Sequence, residues 1–159
     1  MEENGTARAI RVLEAICDEV VRQKDYLCAL DAALGDGDHG VSMAKSFGAV
    51  KDRLPELAGK DLGLVLNTVG MTLISEVGGA MGPLFGTAFI RAGKVAEGKE
   101  AIASTDLAEM LAAAEQGIVR RGRAEVGDKT MLDALHPAVV AARRAADEGA
   151  GVADALQAA

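Results

Sequence analysis

Aromatic side chains are nearly missing from this chain. Tyr26, Phe47, Phe85 and Phe89 are the only ones among 159 residues, and there is no Trp. A core must therefore be built from Ala, Leu, Val, Ile and Met. That palette suits close-packed helices. It argues against β-sandwiches and barrels, which lean on aromatic and β-branched residues. Only three prolines interrupt the chain, so long helices are permitted. Half of the residues are apolar and charge is moderate, which excludes disordered, collagen-like and coiled-coil chains. The length suits one domain, residues 1–159, with a sizeable core.

Helical periodicity runs from end to end. Ile10, Leu13, Cys17 and Val20 share one face of a first helix, roughly Thr6 to Lys24. Asp25 is placed to cap a second, carrying Leu27, Leu30 and Leu34. Met43, Phe47, Val50 and Leu54 mark a third, which stops at Pro55; Leu62, Val65, Leu66, Val69 and Leu73 mark a fourth. Pro83 suits the first position of a fifth, with Leu84, Phe85, Ala88, Phe89 and Ala92 inward. Thr105 opens a sixth and Thr130 a seventh, kinked or restarted at Pro137; Val152 begins an eighth. No stretch alternates at period 2 for long enough to be a strand. The expectation is an all-α, antiparallel bundle or barrel of seven or eight helices. The loops Gly35–Gly40, Val77–Pro83 and Gly122–Thr130 fall at alternate connections, which would place them at one end of the bundle.

The net charge is −7, and no basic stripe is present to release counterions, so nucleic acid is not an expected partner. An acidic protein that takes an anionic ligand needs metal ions or helix N-termini to offset repulsion. Cys17 and Cys28 are too few for a disulfide framework and read as free thiols. The first residues, Met1 to Gly5, are acidic and carry no apolar run, so no secretory leader is expected and a cytoplasmic location is. Between Leu62 and Ile90 the only charge is Glu76, yet six glycines interrupt the window and each uncharged half is 14 residues, short of a membrane span. Two buried helices meeting at a glycine loop explain it better.

Three loops carry the chemistry. In the first, Asp31 precedes Gly35-Asp36-Gly37-Asp38-His39-Gly40. Three carboxylates within eight positions, with glycines that let the backbone turn, form either a hard-cation site for Mg²⁺ or Ca²⁺ or a solvated turn. His39 next to them is either a cap or a donor to a phosphate oxygen. In the second, Gly78-Gly79-Ala80-Met81-Gly82-Pro83 leads into a helix. Such a loop exposes backbone N–H groups to an anion or serves a close helix crossing. It is neither a Walker A nor a Rossmann loop. In the third, Arg121-Gly122-Arg123-Ala124 precedes Gly127-Asp128-Lys129-Thr130-Met131-Leu132, where Met131 could pack against a flat ring. His136 is the only other histidine, and Pro137 after it points to a structural role.

In this order and spacing, the three motifs resemble the nucleotide-binding L subunit of dihydroxyacetone kinase over the whole chain. The resemblance implies an antiparallel helical barrel with ADP or ATP at one end. Two Mg²⁺ ions would be held by Asp31, Asp36 and Asp38 against the phosphates. His39, Gly40, Val41, Ser42, Ala80 and Met81 would contact phosphates and ribose, and Gly122 and Met131 would border the adenine. The family usually has Asn at Ser42 and Ser at Met81; Ser42 keeps a hydroxyl, whereas Met81 leaves only its backbone N–H to make a contact.

Family members also continue beyond the position of Ala159 through a last helix and a covering segment. That gives the expectation of looser nucleotide retention and of uncovered apolar faces at Leu13, Val20, Val139 and Val140. The implied reaction transfers the terminal phosphoryl group of ATP to dihydroxyacetone or a related ketose held on a separate dihydroxyacetone-binding subunit. The nucleotide would either exchange each turnover or be recharged by a phosphotransferase-system subunit. A homodimer is left open. Two rivals stand beside this reading. One is the nucleotide domain of fatty-acid kinases, which carries Thr in place of His39. The other is a non-catalytic, nucleotide-sensing regulatory subunit.

Overall fold

The first helix, α1 (Gly5–Arg22), runs with hardly a break into α2 (Lys24–Asp31). Gln23 N–H donates to Glu19 C=O, and Leu27 N–H donates to Gln23 C=O, both at 2.9 Å. The carbonyls that cap α2 are therefore already helical, and Asp25 sits inside its first turn rather than at the cap. The chain then forms α3 (His39–Arg53), a 3-10 turn (Leu54–Leu57), α4 (Leu62–Glu76), α5 (Met81–Val95), α6 (Ser104–Gly122), α7 (Leu132–Asp147) and α8 (Val152–Ala158). A computed structural model of the chain describes residues 5–76 and 79–159; the acidic residues before Gly5, and Val77 and Gly78 of the second glycine motif, lie outside the described residues. Among the described residues there is no strand, and no helix is long and apolar enough to cross a membrane.

Two starts differ from the sequence reading. Pro83 is the third residue of α5, not the first; the first-turn positions do not use their N–H groups inside the helix, so the ring costs nothing there. Helix α7 begins at Leu132, and Pro137 sits within it without ending it. His136 Nδ1 lies 2.6 Å from Glu115 Oε1, tying α7 to α6, in keeping with a structural role.

Packing follows the apolar faces. Ile10, Leu13 and Cys17 of α1 meet Met43, Phe47 and Val50 of α3, Leu54 and Leu57 of the turn, and Val65, Val69 and Leu73 of α4. Each large side chain removed from water there contributes about 1.5–3 kcal/mol. Burial pushes the Cys17 thiol up to about 11. A second, alanine-rich packing joins α6, α7 and α8 through Leu107, Ala145 and Ala155, with Ala108, Ala142 and Ala146 beside it. Helices α7 and α8 touch α6 and each other but not α1, so the described row of helices does not close into a ring. Of the apolar positions expected to be uncovered, Leu13 and Val139 are buried and Val140 is exposed.

The tightest pairing is α4 against α5. It is antiparallel and runs over glycines seven residues apart. A Cβ on Gly70 would meet Gly86 O at 2.6 Å, and one on Gly86 would meet Gly70 O at 2.6 Å. At the other end, a Cβ on Gly63 would meet Gly93 O at 2.8 Å, and one on Gly93 would meet Gly63 O at 2.9 Å. Two backbones thus approach more closely than side chains would allow.

The end of the bundle near Asp61 is stitched by carboxylates. Asp61 Oδ1 accepts N–H groups of Leu64 (3.1 Å) and Gly98 (3.2 Å). Asp106 Oδ2 accepts that of Ala103 at 2.8 Å, and its other oxygen lies 3.2 Å from Lys99 Nζ. These N–H bonds hold both carboxyls below the usual aspartate value. A depressed folded pKa adds stability that is complete above the unfolded value of about 4 and is lost as pH falls through the folded one. Thermal unfolding is therefore expected to be insensitive to pH above about 5 and to steepen below about 4. Asp61→Asn should flatten that acid limb, and an unchanged limb would remove Asp61 from this account.

Candidate functional site

Asp31 is the last residue of α2, and its carboxylate folds back over the loop that follows. Its Oδ2 accepts the N–H of Gly37 (3.0 Å) and of His39 (3.3 Å). Gly37 takes φ +78°, the left-handed turn that brings its N–H round. Gly35 leaves room for the same carboxylate, since a Cβ there would stand 2.5 Å from Asp31 Oδ1. Asp36 Oδ1 accepts the N–H of Asp38 at 3.3 Å. In consequence Asp31, Asp36 and Asp38 each present an oxygen within 4.8 Å of the others, Asp31 half-buried and the other two exposed. The negative charge of Asp36, followed by desolvation, raises the Asp38 carboxyl above its ordinary value. All-oxygen, uncompensated and anionic, this donor set fits a hard divalent cation such as Mg²⁺.

The cluster forms one wall of a cleft of about 890 Å³. Asp36 and Asp38 come from the α2–α3 loop and His39 and Ser42 from the start of α3; Gly79 and Ala80 lead into α5, which adds Met81, Leu84 and Phe85; Met131 comes from the end of the α6–α7 loop. Two helix N-termini, each with partial positive charge, thus border the same space as the carboxylates. Lys45 Nζ donates to Glu76 C=O at 3.2 Å and fastens α3 to the end of α4 nearby.

The third wall is a loop with unusual backbone. Arg123 (φ 56°) ends α6 in the left-handed conformation, and Lys129 (φ 59°) repeats it. Asp128 Oδ2 accepts Glu125 N–H at 2.8 Å. Asp133 takes two more, from Gly127 to Oδ1 at 2.6 Å and from Thr130 to Oδ2 at 2.8 Å. The Thr130 and Gly127 bonds hold the Asp133 carboxyl below its ordinary value.

Most of the residues singled out from sequence converge here: Asp36, Asp38, His39, Ser42, Ala80, Met81 and Met131 line the cleft, and Asp31 braces the acidic loop. Like Asp31, the other three, Gly40, Val41 and Gly122, are not part of the lining. Gly40 is buried where α3 crosses α2, and a Cβ there would run into Lys24 C=O, so packing alone demands glycine. Val41 is half exposed. Gly122 lies at the end of α6 against Leu84, 3.4 Å from its Cδ2 to a built Cβ. Leu84 and Phe85, expected to face inward, are cleft walls as well. Their place at the first turn of a helix preceded by a glycine motif was the available signal.

The chain belongs to the DAK2 domain family, whose model matches residues 33–159. The chain is 43 % identical over 137 residues to the ADP-binding subunit DhaL of the PEP-dependent dihydroxyacetone kinase of Escherichia coli (strain K12), covering 86 % of this chain and 65 % of that subunit. It is 41 % identical over 131 residues to the corresponding subunit of PEP-dependent dihydroxyacetone kinase 1 of Listeria innocua, covering 82 % of this chain and 66 % of that one. The chain thus spans about two thirds of the length of these relatives. The dihydroxyacetone kinase of C. freundii in its native form superimposes with a TM-score of 0.77 at 27 % identity, over 96 % of this chain and 27 % of that one. The same enzyme in complex with AMP-PNP and Mg²⁺ gives 0.74 at 26 % identity, with the same coverage.

Proposed function

We propose that this chain is the nucleotide- and magnesium-binding part of a dihydroxyacetone (short-ketose) kinase, acting with a separate ketose-binding subunit. The observation that carries this reading is the meeting of three converging carboxylates and two helix N-termini in one cleft. Asp31, Asp36 and Asp38 would hold two Mg²⁺ ions, which when bound neutralise the phosphates and the charge that develops on the transferred group. Asp31 uses Oδ2 to fix the loop, so Oδ1 is left to face a cation. His39, Ser42 and the backbone of Ala80 and Met81 face the phosphate region. Met131 offers a polarizable surface to the base, and Gly122 backs that end through Leu84. The likeness to ADP-binding subunits and to the AMP-PNP and Mg²⁺ complex supports the nucleotide assignment. Both curated relatives described above belong to kinases named PEP-dependent, which favours a retained nucleotide recharged by a phosphotransferase-system subunit over free exchange of ATP.

Among the described residues the cleft lining holds no lysine or cysteine to capture a ketone covalently, and its one imidazole, His39, is assigned to the phosphates, so the ketose would be presented by the partner. The test is to measure dihydroxyacetone phosphate formed by the chain alone, with a ketose-binding subunit and ATP, and with that subunit, ADP and a phosphoenolpyruvate-driven donor. The expected results are none, at most a single turnover, and sustained turnover. Product from the chain alone at the rate of the complete mixture would overturn the division of labour.

A further inference from the structure

The loop from Arg123 to Met131 bears a side-chain wall of the cleft on a backbone that does not hold itself. Two residues with side chains, Arg123 and Lys129, stand in the left-handed region, and Gly127 is at φ +105°. Such positions persist only where surrounding bonds over-determine them. The strongest of these bonds converge on a residue outside the cleft. Asp133, in the first turn of α7, is exposed and accepts one N–H on each carboxylate oxygen, from Gly127 at 2.6 Å and from Thr130 at 2.8 Å. These two donors flank Lys129, so the carboxylate closes the turn around it. Thr130 in turn accepts the N–H of Leu132 on Oγ1 at 3.2 Å, and Leu132 is only 1 % exposed, an anchor in the core. Met131 lies between the clamped residue and the anchored one, which fixes its entry to the cleft.

We infer that Asp133 is a positioning residue for the base end of the site: it holds the loop so that Met131 borders the nucleobase, and it takes no part in holding phosphate or metal. This rests on reading the cleft as a nucleotide site. Its signature is a split between two ligands. The carboxylate cluster and the start of α5, which would take the phosphates, share no hydrogen bond with Asp133.

The experiment titrates wild type, Asp133→Ala and Asp133→Asn with ADP and, separately, with inorganic pyrophosphate, both with Mg²⁺, and records thermal melts. Losing two N–H bonds to a charged acceptor should weaken ADP roughly tenfold in Asp133→Ala. Pyrophosphate affinity should stay within about twofold, since no hydrogen bond at that end changes. Asp133→Asn, which keeps one acceptor oxygen and the shape of the side chain, should fall in between and covers the case in which the alanine variant does not fold. Unchanged ADP affinity in both variants, or equal losses for ADP and pyrophosphate, would overturn the assignment. If wild type binds neither ligand with Mg²⁺, the nucleotide reading itself fails, and the role of Asp133 falls with it.

Discussion

Asp36→Asn and Asp38→Asn are each expected to abolish Mg²⁺-dependent nucleotide binding while leaving the helical fold intact. Both residues are exposed, and the only backbone N–H bond either carboxylate accepts is the long one from Asp38 N–H to Asp36 at 3.3 Å, so their loss costs the fold little. Each supplies one of three carboxylate oxygens within 4.8 Å, and an amide offers a weaker, uncharged donor to a hard cation. Changing even an outer-shell partner of a metal typically costs 10–100-fold in affinity, so loss of a direct ligand should exceed about a hundredfold. Calorimetric titration with ADP, with and without Mg²⁺, reads the affinity, and circular dichroism reads the fold. Asp31→Asn is a less clean probe, because Asp31 also accepts the N–H groups of Gly37 and His39. Wild-type affinity in both the Asp36 and Asp38 variants would refute the metal assignment.

The second large effect is on helix packing rather than on a ligand contact. Gly70→Ala and Gly86→Ala each place a methyl 2.6 Å from a backbone carbonyl oxygen on the facing helix. A carbonyl cannot swing aside as a flexible side chain can, so α4 and α5 must separate. Overpacking of this kind costs on the order of 3 kcal/mol, which for a chain of this size is a fall of about 10 °C in Tm. Gly48 supplies the internal control. It lies within α3, and a Cβ there would meet nothing within 4 Å. Gly48→Ala should therefore stabilise by about 0.5–1 kcal/mol, through the lower backbone entropy of alanine in the unfolded chain. Differential scanning calorimetry on the three variants settles the point. If all three shift alike, steric closeness along α4–α5 is not what holds the pair.

These outcomes separate what was readable in the sequence from what was not. Helices whose faces repeat large apolar residues were plain: Met43, Phe47, Val50 and Leu54 are all buried on α3 and the turn after it. The ends were less plain, because a cap depends on where the preceding chain runs. Asp25 looked like a cap only so long as α1 and α2 were taken as separate. The gathering of the Asp36, Ala80 and Met131 loops followed from antiparallel order, and the cleft they line was in that sense legible. The glycines were not. Gly40 stood among phosphate-contact candidates, yet Lys24 C=O lies where its side chain would be. A glycine reports only that something comes close, not whether it is a ligand or a neighbouring helix. Asp133 escaped for a related reason: its role exists only once the loop has closed and brought Gly127 and Thr130 back to it.

The glycine seam also limits how this chain can change. In an ordinary core, a residue that becomes too large can be accommodated by a second substitution that shrinks the one opposite. Opposite Gly70 stands the carbonyl of Gly86, and opposite Gly63 that of Gly93. Nothing smaller than glycine exists, and the main chain itself cannot be trimmed. Suppressors at the facing position are therefore closed off, and a damaged seam is restored only by reversion or by stability added elsewhere in the molecule. At Gly63, Gly70, Gly86 and Gly93 the α4–α5 pair leaves the sequence almost no alternative.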